Sequence, residues 1–384
     1  MRKSLTTLLC LALVVSTTTL LACSIPVFRY AVEHWNPDLF TLTVYHNGEL
    51  TEAQQALLQR LQPDDLDGKF VGNLQVRTVD VTASEIELPQ GDWLAEVKPG
   101  VAWLVAHTPA KKGPPSQVFS GEFTTDNVNQ LLESPARKTV TERLLRGESA
   151  VWVLLECGDK EKDDAAAKTL TDELARMQAT LKLPEIEEKD LEDGLLSLDP
   201  TELKIAFSLV RIPKDDPAEQ AFIAMLRTTE PDLNEPEIVS QPTALPLFGR
   251  GRSLWALVGA GIAADTIEDT CRFLTGGCQC TVKVQNPGVD MLTTVDWNLL
   301  VGAAPDSLQL ERESSTDPPE YLAIAPGGSS IAAGHDDATH DSSHVATSKT
   351  APPSEGAPVN WLLGLGGFAI LVAGVSLTAG RRGH

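Results

Sequence analysis

The same order of predicted secondary-structure elements occurs twice along the 384-residue chain. In the first half, apolar alternation and helical spacing predict strand 39–46, helix 51–61, strands 74–81, 101–106 and 118–123, and a helical stretch over 125–145. In the second half they predict strand 150–156, helix 163–181, strand 203–212, an added helix 217–227, a hairpin over 243–258 and a closing helix 265–274. Two copies of β-α-β-β-β-α predict an α/β protein with two tandem domains, each a mixed sheet flanked by helices.

The amino-terminal residues have the composition of a targeting segment. Met1-Arg2-Lys3 carries positive charge, residues 5–21 form an apolar run, and Ala22 is small. This order of charged, apolar and small residues is typical of a secretory signal peptide, which we expect over residues 1–22.

The carboxyl-terminal residues have the length and composition of a membrane anchor. Residues 361–379 are almost uninterruptedly apolar, and about 20 such residues suffice to span a bilayer. We therefore predict a transmembrane helix over 360–380. The arginines that follow it predict a cytoplasmic tail over 381–384, because such residues stay on the cytoplasmic side. The bulk of the chain is then expected on the periplasmic side of an inner membrane.

Cys23 has two competing interpretations. Leu20-Leu21-Ala22-Cys23 resembles a bacterial lipobox, which would make Cys23 the lipidated first residue of the mature chain. Alternatively, cleavage near Ala22 leaves Cys23 as a free thiol or a disulfide partner. A lipid is redundant beside a carboxyl-terminal anchor. Lipidation of Cys23 would, however, leave four cysteines with free thiols in the mature chain instead of five, and this even number favours lipidation.

Charge and composition limit the partners and the folded region. The net charge is −22, with acidic groups spread over much of the chain, so no nucleic-acid partner is expected. Residues 303–359 are rich in Pro, Ser, Ala and Asp and predict a disordered linker. Within the linker, His335, His340 and His344 lie among aspartates and would bind Cu, Ni or Zn weakly. A solvated linker is the favoured interpretation, because a disordered chain must become ordered to form a metal site.

Cys157 follows a predicted strand and precedes a predicted helix. A helix amino terminus stabilises a thiolate, and Lys160 would add to this effect, whereas Glu156 and Asp159 would oppose it. A single thiol at this place would form mixed disulfides but would not release them unaided. A buried, unreactive thiol is the favoured interpretation.

Three further cysteines, Cys271, Cys278 and Cys280, are spaced as C-x6-C-x-C around the end of the closing helix. In an oxidising compartment this spacing predicts a disulfide from Cys271 to Cys278 or Cys280. The alternatives are a redox-active pair or a thiolate site for Cu(I) or Zn. The turn 285–288 and the residues up to 297 predict an appended hairpin that would cover this cysteine cluster.

No common catalytic motif is present in the sequence. There is no G-x-S-x-G, HExxH or P-loop. Gly249-Arg250-Gly251 joins two predicted strands, so it is not a phosphate-binding loop; Arg250 and Arg252 would at most form a local anion patch. The sequence leaves open whether the chain is an enzyme.

Residues 242–274, PTALPLFGRGRSLWALVGAGIAADTIEDTCRFL, resemble the carboxyl-terminal half of thioredoxin-like domains. Those domains share a proline before an internal strand, a Phe-x-x-Gly hairpin, Val-Gly-Ala and a final helix. The resemblance implies that Pro242 is the cis-proline that faces the active site. It places Cys157 at the position of the nucleophilic cysteine and Lys160 at that of the resolving one, so dithiol cycling is not expected.

The resemblance extends to the first half and divides the chain. Pro99 is the corresponding proline there, and the matching turn, Tyr45-His46-Asn47-Gly48, has no cysteine. It implies one thioredoxin-like domain over 23–147 and a second over 148–302, which includes the appended cysteine-containing hairpin. The disordered linker and the transmembrane helix follow.

The chain also resembles bacterial envelope proteins, and two functions are consistent with these features. One is a membrane-anchored binding or assembly module that holds an envelope protein partner on the thioredoxin-like surface around Pro242. The alternative is an envelope thiol-redox or metal-handling protein, for copper or zinc, that uses Cys157 and the cluster of Cys271, Cys278 and Cys280.

Overall fold

The computed structural model describes residues 23–62, 72–83, 91–110, 114–279, 281–300 and 321–323. The predicted signal peptide, the predicted transmembrane helix, Cys280 and the three linker histidines lie outside the described residues. Within these residues, no helix is long and apolar enough to cross a membrane.

The described chain is a mixed α/β protein with two mixed sheets. Its α-helices are α1 (Val27–His34), α2 (Glu52–Leu61), α3 (Thr125–Leu132), α4 (Pro135–Leu145), α5 (Lys160–Thr180), α6 (Glu188–Glu192), α7 (Gln220–Leu226), α8 (Pro236–Val239), α9 (Ala264–Thr275) and α10 (Trp297–Leu300). Its strands are β1 (Phe40–His46), β2 (Leu74–Asp80), β3 (Trp103–His107), β4 (Gln117–Glu122), β5 (Ala150–Leu155), β6 (Phe207–Ile212), β7 (Thr243–Phe248), β8 (Arg252–Ser253), β9 (Leu257–Val258), β10 (Val289–Asp290) and β11 (Tyr321–Ala323).

Both sheets are built on the same arrangement of four strands. In the first sheet the order is β2-β1-β3-β4, with β2 parallel to β1 and the next two pairs antiparallel. In the second sheet the order is β10-β8-β7-β5-β6-β11, with β6 parallel to β5 and β7 antiparallel to it; β9 also pairs with β7. Each half therefore places its first strand between a parallel second strand and an antiparallel third. The prediction of two mixed sheets flanked by helices is confirmed.

The second strand of the predicted hairpin differs from the prediction of one strand over 253–258. It is divided into β8 and β9, because the intervening Ala256 donates its backbone N–H to Glu230 Oε1 at 2.8 Å instead of to a neighbouring strand. The nearby indole of Trp255 likewise donates to Thr270 Oγ1 at 3.0 Å. The carboxylate of Glu230 thus interrupts the ladder between the two short strands.

Two segments beyond the closing helix also differ from the predictions. Instead of an appended hairpin over 285–297, β10 pairs antiparallel with β8 and extends the main sheet. The three residues of β11, which composition assigns to the disordered linker, pair antiparallel with β6. The outer edge of β6 offers backbone hydrogen-bonding groups to an extended segment, and composition alone does not reveal such an acceptor edge.

β5 lies at the centre of the second sheet and separates two hydrophobic cores. Every residue of β5 is buried. Val151 and Val153 pack in a core that is continuous with the residues of the first sheet. Trp152 and Leu154 point to the opposite core, which contains α5, α9 and the segment at Cys23. Because successive strand residues face opposite sides, this uninterrupted apolar strand requires cover on both faces of the sheet.

A buried polar contact joins the two halves where α3 is followed by α4. Glu219, only 1% exposed, accepts hydrogen bonds from Ser134 Oγ and, at 2.8 Å, from the backbone N–H of Ala136. Nearby, the Arg137 guanidinium donates to the carbonyl oxygens of Leu131 and Leu132, both at 2.7 Å. Burial raises the pKa of Glu219 and lowers the pKa of Arg137 to about 10.

Replacing Glu219 should therefore destabilise the junction of the halves. Glu219→Ala leaves the Ala136 N–H and the Ser134 hydroxyl without their acceptor, at a cost of about 1–3 kcal/mol in the free energy of unfolding. Urea unfolding measures this cost. Glu192→Ala, at an exposed carboxylate, is the matched control and should change the free energy by less than about 0.5 kcal/mol.

The pH dependence of Glu219→Gln supplies a second check on this contact. A carboxyl whose pKa is raised on folding contributes stability at pH below its unfolded pKa, and this contribution is lost as pH rises through the folded value. The glutamine variant should gain stability relative to the wild-type chain as pH rises from acid to neutral. A difference in the free energy of unfolding between the two chains that stays constant over this pH range would contradict the raised pKa of Glu219.

Candidate functional site

The candidate site lies at the edge of the second sheet where β5 ends and β7 begins. Leu155 pairs with Thr243 in the antiparallel register of these two strands. Cys157 follows β5 by two residues and Pro242 immediately precedes β7, so both lie at the same edge. The register thus places at one edge of the sheet the two residues that the thioredoxin-like resemblance implies to be neighbours.

Pro242 does not have the expected conformation. No peptide bond in the described ranges is cis, so the expectation of a cis-proline at this position is wrong. The Pro242 carbonyl accepts a hydrogen bond from the backbone N–H of Gly259 at 2.9 Å. This bond continues the pairing of β7 with β9, in which Thr243 lies opposite Val258, and holds Pro242 as an extended lead-in to β7.

Asp163 controls the turn that contains Cys157. This residue, in the first turn of α5, is only 2% exposed. Its two carboxylate oxygens accept hydrogen bonds from the backbone N–H of Cys157 at 2.9 Å and of Gly158 at 3.0 Å. Two backbone donors at the amino-terminal end of α5 are therefore occupied by a carboxylate of the chain itself.

The Cys157 thiol is not activated in this environment. It is buried, and burial raises its pKa above the ordinary value, with further increases from the hydrogen bond and the charge of Asp163. The backbone N–H of Asp159 and the charge of Lys162 lower the pKa without reversing the shift. The stabilisation of the thiolate that the helix position suggests is therefore outweighed, which agrees with the interpretation of Cys157 as a buried, unreactive thiol.

The charged residues around Cys157 pair with one another. Arg211 contacts Glu156 at 2.6 Å and Asp164 at 2.8 Å. Lys160 contacts Asp164 at 2.5 Å, so its ammonium is directed to a carboxylate and it is not among the groups that shift the pKa of Cys157. The charge of Asp164 thus offsets the positive charge by which the sequence expectation had Lys160 favour a thiolate at Cys157.

A small cavity lies at the edge where β5 ends and β7 begins. Its volume is about 10 Å³, and it is lined in part by Leu155, Gln241 and Thr243. Such a volume holds about one water molecule. On the outer side, Gly158 has a φ of +86°, and a Cβ at this residue would lie 2.8 Å from Lys214 Cε. The cavity at this edge is therefore too small for an organic ligand.

The predicted cysteine cluster is not assembled as a disulfide that includes Cys271. Cys271 is a free thiol, fully buried in α9, and burial raises its pKa far above the ordinary value. The predicted disulfide from Cys271 to Cys278 or Cys280 is thus wrong in this structure, because the Cys271 side chain is enclosed in the core under α9. Among the described residues, no group of three or more His, Cys, Asp or Glu side chains could hold a metal ion.

Cys23 is part of the folded core and not of a flexible tether. Its side chain is 6% exposed and packs in the core that Trp152 and Leu154 of β5 face. The next residue, Ser24, donates its backbone N–H and its hydroxyl to Asp190 Oδ2, both at 2.6 Å. A diacylglycerol on the Cys23 sulfur would have to leave this core, so the burial of Cys23 favours the second interpretation of this residue, a thiol or disulfide partner.

Arg250 and Arg252 are buried structural residues, which the sequence did not indicate. Arg250 donates to the carbonyl oxygens of Val32 at 2.6 Å and Glu33 at 2.9 Å. Arg252 forms an ion pair with Asp290 at 2.8 Å, with both side chains at most 4% exposed. The anion patch considered for these arginines is not formed, because their donors bind the end of α1 and the segment of β10.

The chain matches no protein-family model, no curated protein and no solved structure.

The effect of Asp163 on Cys157 can be tested by substitution. Asp163→Asn removes the charge that raises the pKa of Cys157, so the pKa should fall and alkylation of the native thiol should become several-fold faster at neutral pH. The measurement is the pH–rate profile of Cys157 alkylation. Asp172→Asn, at an exposed residue of α5, is the control and should leave the profile unchanged. Faster alkylation without a lower pKa would indicate local opening and would contradict the electrostatic explanation.

Proposed function

We propose that this chain is an extracytoplasmic, membrane-anchored protein with two thioredoxin-like halves, which binds a partner polypeptide and does not perform dithiol chemistry. The observation that carries the proposal is the carboxylate of Asp163 on the N–H groups of Cys157 and Gly158. This carboxylate holds the turn in place and its charge raises the pKa of the Cys157 thiol, so the scaffold is retained while the thiolate is disfavoured.

The repeated strand arrangement supports the thioredoxin-like assignment. Each half has a mixed sheet in which a parallel pair is followed by an antiparallel third and fourth strand. In the first half, Asn47 after β1 forms a bridge with Pro99, the proline that corresponds to Pro242. Both halves therefore place the end of their first strand beside a proline that precedes the third strand.

The nature of the candidate site supports a polypeptide as the ligand. The cavity lined by Leu155, Gln241 and Thr243 is too small for an organic molecule, whereas on the outer side Lys214 is exposed and Gln241 is half-buried. A partner polypeptide would lie across this edge and contact the turn that contains Cys157. Export and anchoring rest on residues 1–22 and 360–380, whose composition was described above.

The alternative function, thiol redox or the handling of copper or zinc, has less support. Cys157 and Cys271 are buried, and the pKa of each thiol is raised. A raised thiol pKa leaves little thiolate, which is the form that attacks disulfides and binds soft metals.

Site-specific photo-crosslinking in the native envelope tests the proposal. A photoreactive residue at Gln241 or Lys214 should give a discrete adduct of the full chain with one partner polypeptide, because both residues flank the proposed binding edge. The same residue at Gln55, exposed on α2, is the control and should give none.

The Cys157→Ala variant separates the two functions. Binding without thiol chemistry predicts that the adduct at Gln241 persists in this variant. Loss of the adduct would support the redox alternative, and equal adducts at Gln241 and Gln55 would contradict a specific edge.

A further inference from the structure

The segment that follows Cys23 is attached to the end of α9 by backbone hydrogen bonds. The N–H of Val27 donates to the Gly276 carbonyl at 2.9 Å. The N–H of Cys278 donates to the Ile25 carbonyl at 2.8 Å. These bonds hold the backbone of the segment against the second half of the chain, so the fold determines where Cys23 lies.

The carboxylate of Asp190, in α6, binds the same segment from the other side. Ser24 donates its backbone N–H and its hydroxyl to Asp190 Oδ2, both at 2.6 Å, and its hydroxyl accepts the backbone N–H of Glu187 at 2.8 Å. Three covalent bonds separate the backbone nitrogens of Cys23 and Ser24, so these atoms lie about 4 Å apart at most. The Cys23 nitrogen is therefore within about 7 Å of Asp190 Oδ2.

Asp190 is a buried carboxylate that has no cation beside it. It is 8% exposed, and among the described residues no Lys, Arg or His side chain forms an ion pair with it. Both side-chain hydrogen bonds that it accepts go to Oδ2, so Oδ1 has no donor from this part of the chain. Carboxylates are seldom buried unless they are paired. The fold therefore offers this carboxylate to a positive group that the described side chains do not supply.

The charges that act at Cys23 are negative. Burial raises the pKa of the Cys23 thiol, and the charges of Asp190 and Glu187 raise it further. No positive side chain is among the groups that act on this thiol. A cation on the backbone nitrogen of Cys23 would thus be stabilised by two carboxylates, of which only Asp190 is buried.

We propose that Asp190 is the binding site for the α-ammonium group that export creates at Cys23. A signal peptidase adds water across the Ala22–Cys23 peptide bond, so that Ala22 leaves with a carboxylate and Cys23 keeps a protonated amine. The inference rests on the proposed export, because the predicted signal peptide ends at Ala22. In the uncleaved chain the same nitrogen is a neutral amide and cannot form the ion pair. Cleavage therefore adds an ion pair between the amino-terminal segment and α6.

The amino-terminal peptide of the full chain purified from the envelope gives the first test. We expect the mature chain to begin at Cys23 with an unmodified α-amine, in the tryptic peptide 23–29. A chain that begins at another residue, or a lipid or acyl group on Cys23, overturns the ion pair and leaves export standing. An unprocessed chain that still carries residues 1–22 overturns both.

The pKa of the α-amine measures the pairing itself. The amine is followed by trace labelling with acetic anhydride across pH in Cys23→Ala, which keeps the amine and lacks the competing thiol. A carboxylate partner raises the pKa of an amine, so we expect a value above the ordinary one of about 8. A pKa at or below the ordinary value overturns the proposal. Failure of Cys23→Ala to be processed would indicate cysteine-dependent cleavage of a lipoprotein and would also overturn it.

Matched variants assign the shift to Asp190. In the Cys23→Ala chain, the further change Asp190→Asn keeps an acceptor for Ser24 and removes the charge, so the pKa should fall and labelling at pH 7 should become several-fold faster. Glu192→Gln, at an exposed carboxylate of α6, is the control and should leave the pKa unchanged. An equal change in both variants would overturn a specific pair.

Thermal stability gives a readout that does not depend on labelling. A group whose pKa is raised on folding contributes stability below its unfolded pKa, and this contribution is lost as pH rises through the folded value. The Tm of the processed wild-type chain should therefore exceed that of Asp190→Asn at pH 7, and the difference should narrow above about pH 9. A difference that stays constant with pH would mean that Asp190 acts only as an acceptor for Ser24, and would overturn the ion pair.

Discussion

The burial of β5 on both faces is the constraint on which the rest of the structure depends. A strand with six buried residues needs one apolar layer above the sheet and another below it. The first sheet and α7 contribute to the upper layer, whereas α5, α9 and the amino-terminal segment form the lower one. The segment at Cys23 is therefore an integral part of the core, and its attachment to the end of α9 completes the cover of Trp152 and Leu154.

The same strand positions the candidate site. Because β5 ends beside the start of β7, the turn that contains Cys157 lies next to Pro242. Asp163 then influences the chemistry of this turn, because its carboxylate binds the backbone N–H groups of Cys157 and Gly158 and its charge raises the pKa of the thiol. Asp163 therefore stabilises the turn and at the same time disfavours the reactive thiolate of Cys157. This arrangement is consistent with the proposed role as a scaffold for binding.

Local signals in the sequence predicted most of the regular structure. α2 begins at Glu52, next to the predicted start at Thr51, and the predicted helical stretch over 125–145 contains α3 and α4. The features that were missed depend on distant partners. Glu230 divides the predicted strand at Ala256, and the carbonyl oxygens of α1 bury Arg250. Asp163 looked like an ordinary acidic residue in a first turn, because its contact with the Cys157 N–H requires the folded turn.

The rate at which Cys157 of the native full chain is alkylated, followed from neutral to alkaline pH, tests the central claim most directly. Binding without thiol chemistry predicts slow alkylation at neutral pH and a rise only above the pKa of an ordinary thiol, because burial and Asp163 both disfavour the thiolate. Rapid alkylation at neutral pH would contradict the account and would make Cys157 a reactive residue.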